Sequence, residues 1–191
     1  MPLRMWAGIG TVCVLLGAWF AGYRLTPLAA AKVNDGPSVH EFGVVSYPWG
    51  RVLLLNTPKG SRTALVSRSV ILWRNPANSV VGPERTGPVH TVGWMSYTGD
   101  GGRQQATVVA VKVSDPAIAY IAVGPSGSRQ RKTVELNKPL IFSWNRMIGL
   151  NHLRPIALSK TGRELYRYGY PLNTSVFDTS LLQWYPVPAA N

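Results

Sequence analysis

The sequence predicts a mainly β protein, an antiparallel sandwich or a small open barrel, preceded by one N-terminal transmembrane or signal helix. Three observations predict it. The chain carries 19 Gly and 15 Pro in 191 residues, too many turn-formers for a helical bundle. Its hydrophobic fraction of 46% is too high for a disordered chain. Beyond residue 37, β-branched and aromatic runs of about five to seven residues alternate with turn signals.

The first element is Met5 to Tyr23, which contains no charged residue. As a helix at about 1.5 Å per residue it spans roughly 28 Å, close to a bilayer's hydrocarbon core. Two readings compete. A signal peptide would use Ala29-Ala30-Ala31 as an A-x-A site, with cleavage after Ala31. An uncleaved anchor fits the length better, because cleavable apolar regions run about 7–15 residues. Trp6 at one end and Trp19, Phe20 and Tyr23 at the other stand where interfacial aromatics belong. Arg4 argues for an inside N-terminus, but Arg24 and Lys32 flank the other side, so the positive-inside balance is mixed. The reading places residues 32–191 outside the membrane. Cys13 lies within the apolar run and reads as a small buried apolar residue. The organisation that follows is an anchor or signal segment over 1–24, a linker over 25–37 and an extracytoplasmic β domain over 38–191.

Within the β domain, Arg51 to Asn56 is a short strand ended by Thr57-Pro58-Lys59-Gly60. Thr63 to Trp73 reads as one continued run, broken by Asn75-Pro76 and Gly82-Pro83. Val89 to Tyr97 closes in the turn Thr98 to Gly102. Thr107 to Val113 is the strongest strand, stopped by Asp115-Pro116, and Ile118 to Val123 follows. Thr133 to Leu136 and Leu140 to Trp144 come next. Pro155 to Tyr168 predicts a hairpin turning at Lys160-Thr161-Gly162, with Gly162 at positive φ forming a bulge. Asn173 to Trp184 predicts one short helix capped by Asn173 or Thr174.

The stretches Val111 to Val123, Lys132 to Leu136, Leu140 to Trp144 and Ile156 to Tyr166 share an order: strand, Asp-Pro, strand, strand, aromatic strand, Gly-turn hairpin, Leu-Tyr. Over about residues 108–170 the chain resembles the C-terminal half of small exported or membrane-anchored proteins of Gram-positive spore-forming bacteria. That group has no assigned activity. The resemblance therefore implies a location and a fold and carries no site residues.

The residue inventory excludes some chemistries. The one cysteine, Cys13, rules out an intramolecular disulfide framework, and residues 32–191 hold no thiol nucleophile. Lys160-Thr161-Gly162 matches the Lys-Thr-Gly box of penicillin-binding proteins, but no Ser-x-x-Lys occurs anywhere, so it reads as a hairpin turn. Gly124-Pro125-Ser126-Gly127 is no nucleophile elbow. His40, His90 and His152 lack ligand spacing, and no metal or cofactor motif is present. Glu41, Glu84, Asp100, Asp115, Glu135, Glu164 and Asp178 offer no marked acid/base pair. An exported hydrolase would have to assemble its site from these scattered groups.

The positive signal is charge. Setting aside Arg4 and Arg24 leaves 18 Lys and Arg against 8 Asp and Glu. Arg129, Arg131 and Lys132 form the densest cluster; on a strand Arg129 and Arg131 share one face and Lys132 takes the other. Arg163 and Arg167 lie in the next hairpin, with Arg146 and Arg154 before it. These are the anion-binding candidates, suited to envelope polymers or lipid headgroups. No nucleic-acid-binding fold motif accompanies them. Trp49, Trp73, Trp94, Trp144 and Trp184 could make a sugar platform, but four sit in or beside expected strands and read as packing. The expectation is a non-enzymatic, membrane-tethered β domain with a basic surface.

Overall fold

A computed structural model describes residues 17, 19–33, 38–80, 87–171 and 178–188. They are mainly strand, arranged in three antiparallel sheets, and no sheet closes on itself into a barrel. Two compact units emerge. The first takes in the described part of Met1–Pro58 together with Thr63–Asn78; the second takes in Lys59–Arg62 and the described part of Ser79–Asn191.

The first unit is built on a sheet in the order β1 (His40–Tyr47), β2 (Gly50–Thr57), β3 (Gly60–Ser69), β4 (Leu72–Val80). Leu53, Leu55, Ala64 and Val66 lie on one of its faces and pack with Val39 and with Ala30 and Ala31 of α1 (Pro27–Ala31). Val52, Leu54 and Leu65 are buried too. Cover on both faces is why β2 reads as an unbroken apolar run instead of an alternating one. Thr26 caps α1 by accepting from the Ala29 N–H at 3.2 Å, and Pro27 suits the first turn because its missing N–H would have had no partner there. Thus part of the stretch read as a linker is core; its residues 34–37 lie outside the described set.

The run Thr63 to Trp73 is not continuous. It breaks at Val70 and Ile71, and β4 then passes straight through Asn75-Pro76. Pro76 lies within β4, which is an edge strand, the part of a sheet to which proline is largely confined. The turn is hard to foresee, because Val70 adopts φ +54°, a left-handed conformation that β-branched residues resist.

Upstream, residues 17, 19 and 20 are helical. Ala21 N–H donates to Gly17 O at 2.9 Å and Gly22 N–H to Trp19 O at 3.1 Å, and Gly22 at φ +83° ends the helix. Two residues later Arg24 bridges the outer edge of β4, its N–H donating to Trp73 O at 2.8 Å and its O accepting from Trp73 N–H at 2.7 Å. Among the described residues no helix is long and apolar enough to cross a membrane. Positions 5–16 and 18 of the apolar run, including Cys13, lie outside the described residues.

The second unit has a sandwich-like core between two sheets. One is β5 (Val89–Gly99), β6 (Gln104–Val113) and β9 (Leu140–Trp144). The other has the order β12 (Gln183–Pro186), β11 (Glu164–Gly169), β10 (Ile156–Leu158), β7 (Tyr120–Val123), β8 (Gln130–Thr133). Val109, Val111 and Phe142 from the first sheet meet Ile121, Val123 and Ala157 from the second, all within one buried cluster. Thr107, fully buried, pins the loop after β9: its Oγ1 donates to Arg146 O and accepts from Ile148 N–H, both at 2.8 Å.

The expected hairpin is present, with Gly162 at φ +86° and a register shift between Ala157 and Leu158 that leaves Leu165 as the extra residue. The strand expected over Thr133 to Leu136 lies earlier, at Gln130–Thr133; a loop follows, held by a Lys138–Glu135 ion pair of 2.6 Å. The helix expected over Asn173 to Trp184 is not what its described part forms. Thr179–Leu181 is a single 3-10 turn and Gln183–Pro186 is strand β12, pairing with β11 from Tyr166↔Pro186 to Gly169↔Gln183. Pairing with a sheet edge overrides weak local helix propensity. Residues 172–177, with Asn173 and Thr174, lie outside the described set.

Candidate functional site: a basic sheet face

The five-stranded sheet sorts the cationic side chains by register. Arg131 opposes Ala122, Ala122 opposes Ile156, Ile156 opposes Arg167, and Arg167 opposes Tyr185. Residues opposed across strands share a face. The adjacent row, Lys132, Ile121, Ala157 and Tyr166, points the other way, toward the core. Ile121 and Ala157 in that row are both fully buried. Arg131 and Arg167 therefore lie on the outer face, three strand spacings or about 14 Å apart.

Tyr120, two residues from Ala122, lies on the same face, and the Arg131 guanidinium stands 3.7 Å from its ring centroid. Arg129 folds back over the sheet. It donates from Nη2 to Arg154 O at 2.9 Å and to Ala122 O at 3.4 Å, and from Nη1 to Gly124 O at 3.2 Å. Burial lowers the pKa of this guanidinium, the Glu164 carboxylate opposes that effect, and Arg154 adds to it. Arg167 Nε donates to Glu164 Oε1 at 2.8 Å, a bond that raises its own pKa. Arg163 is exposed at the hairpin, where its backbone N–H donates to Ser159 Oγ at 3.1 Å.

Lys132 is separated from this group. Its Nζ donates to Ile141 O and lies 5.3 Å from the Phe142 ring centroid, while Gln130 Nε2 donates to Ser143 O at 2.7 Å. Both acceptors belong to β9, the edge of the three-stranded sheet. Side chains from the edge of one sheet thereby cap carbonyls on the edge of the other. Trp144 Nε1 donates to Ser128 O at 3.0 Å and Arg146 Nη2 to Ser128 Oγ at 2.6 Å, completing that stitch.

Of the five candidates, the sheet brings Arg129, Arg131 and Arg167 to one face, leaves Arg163 at its hairpin end and assigns Lys132 to the sandwich edge. The i, i+2 spacing of Arg129 and Arg131 foretold their shared face. Tyr120 and Arg154 join them only through register and a loop, which no local spacing signals. The face offers several guanidinium forks, and the Glu164 carboxylate beside them already serves Arg167. Such forks suit phosphate or carboxylate oxygens.

The other candidate groups, where described, lie on different elements. His40 lies on β1, His90 on β5 opposite Lys112, and His152 in α2 (Leu150–Leu153). Among the described residues no group of three His, Cys, Asp or Glu side chains could hold a metal ion. Asp100 pairs with Arg103 at 2.8 Å, and Asp115 and Asp178 accept from the N–H groups of Ala117 and Ser180, both at 2.8 Å. Glu84 lies outside the described residues. Trp49 stacks on Tyr47 at 5.5 Å; Trp94 and Trp184 flank Tyr168 at 6.3 and 5.5 Å; Trp144 is buried. Tyr47 is itself buried, which pushes its pKa up to about 12.

No protein-family model matches the chain, and neither a curated protein nor a solved structure matches it.

Proposed function

We propose that the protein is a non-catalytic envelope protein. Its N-terminal apolar run holds it in the cell membrane, its β structure lies outside, and the outer face of the five-stranded sheet binds an anionic envelope polymer or lipid headgroups. The observation that carries the binding part is the row that places Arg131 and Arg167 on one outer face beside Arg129. The tether rests on the uncharged run Met5 to Tyr23.

The burial of α1 favours retention of the tether over cleavage after Ala31. Ala30 and Ala31 are 0% and 1% exposed, in the same cluster as Leu53 and Val66. Cutting there would strip α1 and the Arg24–Trp73 bridge from the first sheet. It would leave apolar surface worth roughly 25 cal/mol per Å² exposed to water.

The test uses the full chain in nanodiscs of zwitterionic lipid, titrated with poly(glycerol phosphate). Binding should weaken as salt rises, because screening shortens the reach of charge from about 10 Å at 0.1 M to about 3 Å at 1 M. The double substitution Arg131→Ala, Arg167→Ala should lower affinity roughly five- to thirtyfold, from about 0.5–1 kcal/mol per exposed ionic contact. Affinity indifferent to both salt and the double substitution would exclude this face as the binding surface.

A further inference from the structure

The first sheet has an end that a purely water-facing domain would not keep. Val70 and Ile71, at the β3–β4 turn, are 85% and 70% exposed. Val70 also holds φ +54°, where Gly or Asn would sit without strain. An exposed, β-branched, left-handed residue works against both solubility and backbone preference, so local stability does not account for it.

The chain's path puts this turn beside the end of the apolar run. Arg24 pairs with Trp73 on β4, and the next residue, Leu25, is 73% exposed. Trp19 and Phe20, on the last helical turn, are 56% and 87% exposed. From Phe20 to Arg24 is four residue steps, which reach at most about 14 Å. The polar zone of a leaflet is itself only about 5–8 Å thick. An apolar run that ends inside the hydrocarbon therefore cannot leave the β4 edge far from the surface. The Pro48-Trp49 turn lies at the same end of the sheet, since Arg68 N–H donates to Trp49 O at 3.3 Å.

Charge follows the same polarity. Arg24 Nη1 donates to Trp19 O and to Tyr23 O, both at 2.8 Å, and its guanidinium stands 3.9 Å from the Trp19 ring centroid. Arg68 Nε donates to Val70 O at 3.0 Å, and Arg74 stands 5.9 Å from the Tyr23 ring centroid. Glu41, the one carboxylate among the unit's described residues, lies at the opposite end of β1. Apolar tips with three arginines beside them match the layering of an anionic bilayer surface: acyl boundary below, phosphates above.

We infer that this end of the first sheet docks on the membrane: Val70 and Ile71 enter the headgroup–acyl boundary beside Trp19, Phe20 and Leu25, while Arg24, Arg68 and Arg74 engage anionic headgroups. The tether becomes a two-point mount that fixes how the sheet stands on the bilayer. This rests on the membrane-tether reading above.

The experiment places an environment-sensitive fluorophore on the full chain, reconstituted in phosphatidylglycerol/phosphatidylcholine vesicles. In a Cys13→Ala background the label goes on Ile71→Cys, and in a second protein on His40→Cys, at the far end of β1. Flotation of the vesicles reports the tether independently of the label. The expected result is flotation of both proteins and blue-shifted emission at position 71. Quenching there by lipid-borne bromine should exceed that at position 40 at least roughly twofold, given insertion about 5–10 Å deep. The contrast should shrink in pure phosphatidylcholine. If both proteins float and both labels behave as in water, the docking is refuted and the tether stands. Failure to float refutes the tether and the docking together.

Discussion

On the five-stranded sheet, the arginines are largely spoken for by the protein itself. Arg129 donates to three backbone carbonyls, Arg167 pairs with Glu164, and Arg131 lies against Tyr120. At the turn end of the first sheet, Arg68 donates to Val70 O, Arg74 stands near the Tyr23 ring, and Val70 and Ile71 are exposed. Both surfaces are basic, yet the second adds exposed aliphatic groups and a strained turn. Net charge says that an anionic partner is welcome; the apolar groups beside the charge say of which kind. The sheet face suits a polymer that competes for guanidinium forks already shaped by carbonyls and a carboxylate. The turn end suits a layered surface.

Gly124→Ala should give the largest change that separates the two regions. Gly124 sits at φ +113°, and an added Cβ would lie 2.7 Å from Trp144 Cζ2. The strain plus the displaced indole should cost about 2–4 kcal/mol in urea unfolding of the second unit. Because Gly124 O and the adjoining loop hold Arg129, polymer binding should fall as well. The Ile71 label on the first sheet should report the same membrane depth as before. A loss of depth at position 71 would mean the two regions are not independent.

Val70→Asn should give a smaller change of opposite sign. Asn accepts the left-handed conformation more readily than a β-branched residue, so stability in detergent should rise by about 1 kcal/mol. Removing the exposed isopropyl group should at the same time reduce membrane depth at position 71. A variant that loses stability instead would show that Val70 serves the fold rather than the bilayer.

These regions differ in how far the sequence announces them. The sandwich strands were legible because β-branched runs end at strong punctuation. Asp115 accepts from the Ala117 N–H where β6 stops, and Gly162 turns the hairpin at positive φ. β12 was read as helix because its strand character comes from pairing with β11, which no local pattern records. The β3–β4 turn was invisible for the reason that makes it informative: Val70-Ile71 carries strand-like residues at a position that needs a turn former. β1 was unmarked because a bulge between Glu41 and Gly43 breaks its alternation. Of the basic face, i, i+2 spacing revealed Arg129 and Arg131; the meeting with Arg167 across three strands required the register. The edge role of Lys132 required knowing which carbonyls of β9 lie open.

Because α1 and the Arg24–Trp73 bridge belong to the first sheet, the apolar run should stay attached to it. Intact mass measurement of the protein extracted from the membrane fraction of cells tests it directly. The account predicts a chain that still contains the residues upstream of Ala31. A mature chain beginning at Lys32 would contradict it.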